Sequence, residues 1–397
     1  MKSQFGGIRK KLKDKEKEKE GTTEDRKTAE EDEVSLTEDV RGAEYYHGLV
    51  PKADVEPLMK NDGDFLLRKT ETNSQIVIAL SVRHEGKTRH FMINQDSEGF
   101  YVETHRERTI AELISWHRGT KEPLSSTSPA VLKRPVERPL WILNHDCIKL
   151  GKKLGEGAFG EVYLAEYTEF GGKEKKEVAV KTMREQATRE ARLKFMKEAR
   201  LMRKYKHRNV VQFLGVAIHE HPLMIVMEFC PGGSLLSYLR KEKGKLTTST
   251  KHRFILEAAS GLISKTELKI SDFGMSDDKV YMQDDKLDKV PVKWLAPETL
   301  QMKIYSSKTD VWSFGVLAWE VYADGLEPYT GLNSMQTRAK IVVQNYRMDM
   351  PKECPKQIAS LVLSCWEKDP SKRPDFSKIH KTLKELKDRS QQGSINT

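Results

Sequence analysis

The spacing of apolar positions changes several times along this chain, and each change marks an element. After Pro51, Val55, Leu58 and Met59 recur at helical spacing and predict a short amphipathic helix. Four strand-like runs follow, DFLLR, QIVIALSVR, TRHFMIN and GFYVE, each bounded by turn-forming residues. The helical period returns in TIAELISWH. A Pro- and Ser-rich stretch, KEPLSSTSPAVLKRPVERPLW, then reads as a linker. Beyond it, IKLGKKLGEGAFGEVYLAEY and VAVK predict strands, and EARLKFMKEARLMRKY a helix with Phe195, Glu198 and Met202 on one face. MIVMEFC is a buried strand, and helices dominate afterwards in KHRFILEAASGL and DVWSFGVLAWEVY. The fold class is α+β, in two successive domains.

The two ends break this pattern. Residues 1–20 carry eight Lys/Arg against four Asp/Glu, and residues 21–40 carry two against eight. So little apolar surface cannot offset ordering entropy, so residues 1–43 and 389–397 are expected to be disordered tails. The basic block RKKLKDKEKEKE could touch anionic lipid, an idea weakened by its interleaved glutamates. The whole chain has 69 Lys+Arg and 59 Asp+Glu over 397 residues, too dilute an excess to indicate nucleic acid. Its four cysteines form no CxxC pair. No apolar run approaches the ~20 residues that span a bilayer, and Lys2 stands where myristoylation needs glycine. A cytoplasmic protein with reduced thiols is the expectation.

Chemistry enters with single residues. Arg68 ends the apolar run of GDFLLRKTE, and burying a guanidinium there requires an anion to pair with it. With Tyr46-His47-Gly48 ahead of it, the segment 45–133 resembles an SH2 domain. That resemblance implies that Arg68 grips a phosphotyrosine phosphate, helped by Lys52, Thr70 and His90. The partners it implies are phosphotyrosine-containing proteins.

Residues 134–147 form the linker, and 148–388 carry the second set of motifs. Gly155, Gly157 and Gly160 lie between two strands with no helix opening at the third glycine, which favours a phosphate-covering hairpin over a dinucleotide turn. In order follow VAVK with Lys181, Glu198 on the next helix, the strand to Met227, then DFG and KVPVKWLAPE. These motifs resemble a protein tyrosine kinase, and with the first domain the chain is similar to the SH2-containing kinases of the Fer/Fes group. The resemblance implies ATP held by Leu154, Gly155, Gly157, Gly160, Val162, Ala179 and Lys181, with Glu198 clamping the lysine. It also puts Met227 at the gatekeeper position, Glu228 and Cys230 at the adenine-facing hinge, Mg2+ on Asp272, and a regulatory phosphosite at Tyr281. Glu298 is expected to pair with Arg373.

One part is missing. A kinase of this kind places His-Arg-Asp-x-x-x-x-Asn, the source of its catalytic base, shortly before DFG. Here LISKTELKIS joins Gly261 to Asp272 and contains no His, Arg, Asp or Asn. His252 is the sole histidine between His221 and His380, and no Asp-x-x-x-x-Asn follows it. A clean excision between intact flanking motifs is what a skipped coding segment would leave. By family the chain is expected to transfer phosphoryl groups from ATP to protein tyrosine, with no catalytic residue assignable and activity impaired as written. The alternative is a phosphotyrosine-binding adaptor, or pseudokinase, without transferase activity.

Overall fold

The computed structural model describes residues 38–72, 75–157, 160–169, 171–184, 187–262, 281–283 and 290–393. In the first domain β1 (Asp64–Thr72), β2 (Gln75–His84) and β3 (Lys87–Met92) form an antiparallel meander. A smaller sheet of β4 (Asn94–Asp96), β5 (Gly99–Tyr101) and β6 (Arg106–Glu107) follows. The helix predicted after Pro51 is one turn, α2 (Lys52–Val55), continued by a 3-10 turn at Glu56–Leu58. The second, α3 (Ile110–Thr120), starts at a reciprocal cap in which Thr109 and Glu112 satisfy each other's backbone N–H. Strand β1 is apolar on both faces because it serves two cores. Phe65 and Leu67 pack with Ile78, Leu80 and Leu113 inside the domain, whereas Leu66 joins a cluster shared with the second domain.

Both boundaries of this domain differ from expectation. Residues 38–42, placed in the tail, form α1 (Glu38–Gly42), because Val40 is wholly buried in the domain core. The linker is no loose spacer either. Its first residues make β7 (Arg134–Pro135), which pairs in parallel with β1, and Ile142 bridges to Val216.

The second domain has two lobes. The small lobe is a five-stranded sheet in the order β11-β12-β10-β9-β8. Its strands are β8 (Ile148–Gly157), β9 (Gly160–Thr168), β10 (Lys175–Met183), β11 (Phe213–Ala217) and β12 (Met224–Glu228), and α4 (Arg189–Lys204) packs against it. The large lobe is helical: α5 (Leu235–Lys241), α6 (Thr248–Gly261), α7 (Pro297–Met302), α8 (Ser307–Tyr322), α9 (Ser334–Val342), α10 (Lys356–Cys365) and α11 (Phe376–Gly393). Its core gathers Ile255, Ala259, Trp312, Val316, Trp366 and Leu383 from α6, α8, α11 and the turn after α10. Helix α11 continues past residue 388, so the carboxy-terminal tail starts later than its composition suggests. Strand β13 (Tyr281–Gln283) pairs with β14 (Ile304–Ser306).

Candidate functional site

The first site forms around Arg68 on β1. Its guanidinium is 1% exposed and donates through Nε to Ser81 Oγ (3.2 Å) and through Nη1 to the carbonyl of Val50 (3.2 Å). The remaining nitrogen, Nη2, is buried with no partner among the described residues. Burial pulls Arg68 down to about 10, and no carboxylate among the described residues offsets it. Ser81 Oγ in turn meets His90 Nδ1 at 2.9 Å. His90 is pushed down to about 4, first by burial and then by the positive charges of Arg68 and Lys52. Arg68, His90 and Lys52 therefore converge on one spot that is short of an anion. Thr70 lies two residues along β1, on the same face of the strand as Arg68. Ser81 and the Val50 carbonyl were not anticipated. A serine wholly buried in the apolar run QIVIALSVR was the legible signal for the first.

The second site lies under the glycine hairpin. Strand register aligns Gly155 with Val162 and Val162 with Lys181, so three predicted residues form one row across the sheet. Ala179 pairs with Met227 in the neighbouring row. Both oxygens of Glu198 accept from Lys181 Nζ at 2.8 Å, and the carboxylate is nearly buried. Gly160 serves packing: a Cβ there would lie 1.8 Å from the carbonyl oxygen of Thr182. Leu154 is 45% exposed on β8. After Glu228 the chain turns, with Gly233 N–H donating to the Cys230 carbonyl at 3.2 Å. Asp272 and residues 263–280 lie outside the described residues, and of Tyr281 only its backbone pairing with Ser306 is described. Among the described residues no group of His, Cys, Asp and Glu could hold a metal.

The two sites share a wall that sequence reasoning missed. Asp54 on α2, two residues after Lys52, accepts from Arg200 Nε (2.8 Å) and Nη2 (2.7 Å) on α4, the helix that carries Glu198. Arg192 of α4 reaches Glu71 of β1 at 2.6 Å. Val50, Val55, Met59 and Leu66 pack with Met196, Ala199 and Met202 of α4. The guanidinium of Arg203 lies 4.1 Å from the ring centre of Trp141 in the linker. Leu49 N–H donates to the Ile218 carbonyl at 2.9 Å, a close approach that Gly48 permits, since a Cβ there would sit 2.6 Å from that same oxygen. Gly48 is also left-handed (φ +68°). The basic face of α4 was visible in its arginine spacing, but its acidic partners, more than a hundred residues upstream, were not.

In the large lobe Arg373 grips Glu298 through two bonds of 2.6 and 2.8 Å and also donates to the carbonyls of Lys308 and Glu367. His252 Nε2 donates to the Leu383 carbonyl (2.8 Å) within the packed helices. Ser260 Oγ, near the end of α6, and Trp312 Nε1 are buried with no hydrogen-bond partner among the described residues.

Comparison with known proteins follows this division. Residues 45–117 match the SH2 domain family, and the second domain matches the Protein tyrosine and serine/threonine kinase family in two segments, 148–264 and 262–383. The chain is 56% identical over 380 residues to Fer-related kinase 1 of Caenorhabditis elegans, covering 89% of this chain and 96% of that protein. It belongs to the SH2-containing protein tyrosine kinases of the Fer/Fes group. Against Tyrosine-protein kinase Fer of Rattus norvegicus identity is 38%, and the match uses 87% of this chain but only 44% of that longer protein. Spermatocyte protein spe-8 of Caenorhabditis briggsae is 31% identical across 73% of its length. In this Fer/Fes-type kinase the two kinase-family segments meet at residues 262–264, at the start of the stretch that lacks His-Arg-Asp. No described helix is long and apolar enough to cross a membrane.

Proposed function

We propose that this protein reads phosphotyrosine on cytoplasmic partner proteins through Arg68 and binds ATP beneath its glycine hairpin, while lacking the machinery to transfer phosphate efficiently. The observation that carries the first half is the buried Arg68 guanidinium, with half-buried His90 and exposed Lys52 beside it and no carboxylate paired with it among the described residues. A phosphate there takes the unused Arg68 donor and relieves the desolvation of the guanidinium. Lys52 and Thr70 then stand beside it.

For the nucleotide half the residues present fit. Lys181 is held by Glu198 at 2.8 Å in a row with Gly155 and Val162, the arrangement that aims an ammonium at the α- and β-phosphates. Ala179, Met227 and the hinge from Glu228 to Cys230 supply the adenine side, with Leu154 and Gly157 above. Asp272 is the residue that would carry Mg2+, which neutralises phosphate charge when bound. Transfer to a tyrosine also needs a base that orients the acceptor hydroxyl. The sequence has no His-Arg-Asp, and the nearest histidine, His252, is committed to Leu383. Ser260 Oγ, two residues before the stretch that lacks His-Arg-Asp, is buried with no hydrogen-bond partner among the described residues, which supports the loss of a segment that packed there.

ATP-dependent labelling of a poly-Glu/Tyr substrate tests this reading. The full chain should incorporate no more phosphate than its Lys181→Met variant, and insertion of a relative's catalytic loop after Leu262 should raise incorporation by orders of magnitude. Robust turnover by the unmodified chain, abolished by Lys181→Met, would overturn it. Phosphorylation of Tyr281 by another kinase is expected to order its loop poorly, for lack of the His-Arg-Asp arginine.

A further inference from the structure

Three histidines from three elements crowd one edge of the junction between the domains. His47 comes from the first domain, His145 from the linker and His219 from the turn after β11. His219 is the one that both sides enclose. Its ring stacks on Tyr46, with centroids 5.4 Å apart and planes at 28°. Its Cδ2 fills the space that Gly48 leaves, since a Cβ at that position would lie 2.6 Å from it. The linker closes the remaining side: the His145 ring centre is 6.5 Å away, and Arg138 Nη1 lies 3.2 Å from His219 Nε2. Beside this cluster Leu49 N–H donates to the carbonyl of Ile218 (2.9 Å), the residue before His219.

A guanidinium can only donate, so His219 Nε2 accepts and the ring is neutral, with its proton on Nδ1. Protonation turns that acceptor into a donor and sets a second cation against the half-buried Arg138, whose Nη1 also donates to Asn144 Oδ1 (2.8 Å). The groups that face His219 offer no compensation. Arg138 and His145 of the linker and His47 and Lys69 of the first domain all oppose its charging. Glu220, its neighbour in the turn, is engaged by Arg41 of α1 (3.1 Å), and the exposed Asp146 and Glu169 form no ion pair with it. Burial, then the charge of Arg138, holds His219 down at about 3.

We propose that His219 is a proton-sensitive latch: neutral, it accepts from Arg138 and lets Tyr46 and Gly48 close on the small lobe, and protonated, it repels Arg138 and opens that edge of the junction. The device is local. It leaves the first domain and the small-lobe sheet folded, and it is independent of catalysis and of phosphotyrosine binding.

The test is amide hydrogen exchange in the full chain, read at Leu49 and corrected for the intrinsic pH dependence of exchange. Protection of Leu49 should fall about tenfold between pH 7.5 and 5.5, the shift expected when one histidine of ordinary value can take its proton only in the open form. Amides of β1 and β12 should keep their protection. In His219→Gln, whose side-chain carbonyl still accepts from Arg138 but takes no proton, the fall should shrink below about threefold. Arg138→Gln keeps a donor and removes the opposing cation, so it should stay closed at pH 7.5 and also lessen the fall. Leu49 protection that does not change with pH, that falls equally in His219→Gln, or that falls only together with β1 and β12 would overturn the proposal. So would a junction already open at pH 7.5 in both variants.

Discussion

The small lobe and the large lobe of this kinase differ in how completely their polar groups are answered. Around the small lobe charges meet their complements: Lys181 meets Glu198, Arg200 meets Asp54 and Arg192 meets Glu71. The large lobe keeps its helical core and its buried Glu298–Arg373 pair, but among the described residues it leaves Ser260 Oγ and Trp312 Nε1 buried without a hydrogen-bond partner. The difference teaches that the ion pairs of the small lobe and the packed core of the large lobe are separate constructions, each held by its own residues. It also shows why the first domain belongs with the small lobe. Its α2 carries Lys52, whose charge acts on His90, and Asp54, which meets Arg200 of α4, so a single helical turn faces both the Arg68 cluster and the helix that carries Glu198.

The comparison can be broken at its strongest points first. Arg373→Ala should destabilise the large lobe by about 3–5 kcal/mol, because it strands Glu298 in the core. Denaturant unfolding followed by large-lobe tryptophan fluorescence would show it, and an unchanged midpoint would mean that this lobe is not cooperatively folded. Arg68→Ala should weaken phosphotyrosine-peptide binding by roughly 100-fold or more, since charge-assisted bonds contribute about 1.5–3 kcal/mol each. Calorimetry with phosphorylated and plain peptides checks this, and equal affinity of the parent chain for both would refute the site.

Smaller effects sharpen the junction. Asp54→Ala removes a bidentate pair to a partly exposed arginine and should loosen α4 by roughly 1–2 kcal/mol, read as faster amide exchange in that helix. Exchange unchanged in α4 would show that apolar packing alone holds the two domains. Acid should act on the same junction through His47 and His219, which burial, followed for His219 by the charge of Arg138, pushes down to about 4 and about 3. Their folded values lie below the ordinary 6.5, so the folded state binds fewer protons. The stability they confer is full above pH 6.5 and is lost as pH falls toward their folded values. By pH 5.5 each should withdraw about 1.4 kcal/mol. His47→Gln should flatten that part of the pH–stability profile.

Much of this protein was legible as sequence because local physics wrote it there. Alternating strands, the GEGAFG hairpin, the helix with Glu198 among apolar neighbours and the lone arginine after DFLL each follow from short-range pattern and the penalty for burying charge. So did the gap, since ten residues between Gly261 and Asp272 cannot hide a motif they do not contain. What the sequence could not determine were partners distant along the chain. Nothing in ADVEP announces that Asp54 will meet Arg200, or that the linker will become a strand of the first sheet with Trp141 under Arg203. Composition misplaced both ends, because Val40 looks like one apolar residue in an acidic tail until it is buried against the core. Hydrophobic spacing fixes the period and face of an element. Which surface that face meets, and which charge lies across the junction, is decided only when the domains close on each other and exclude water.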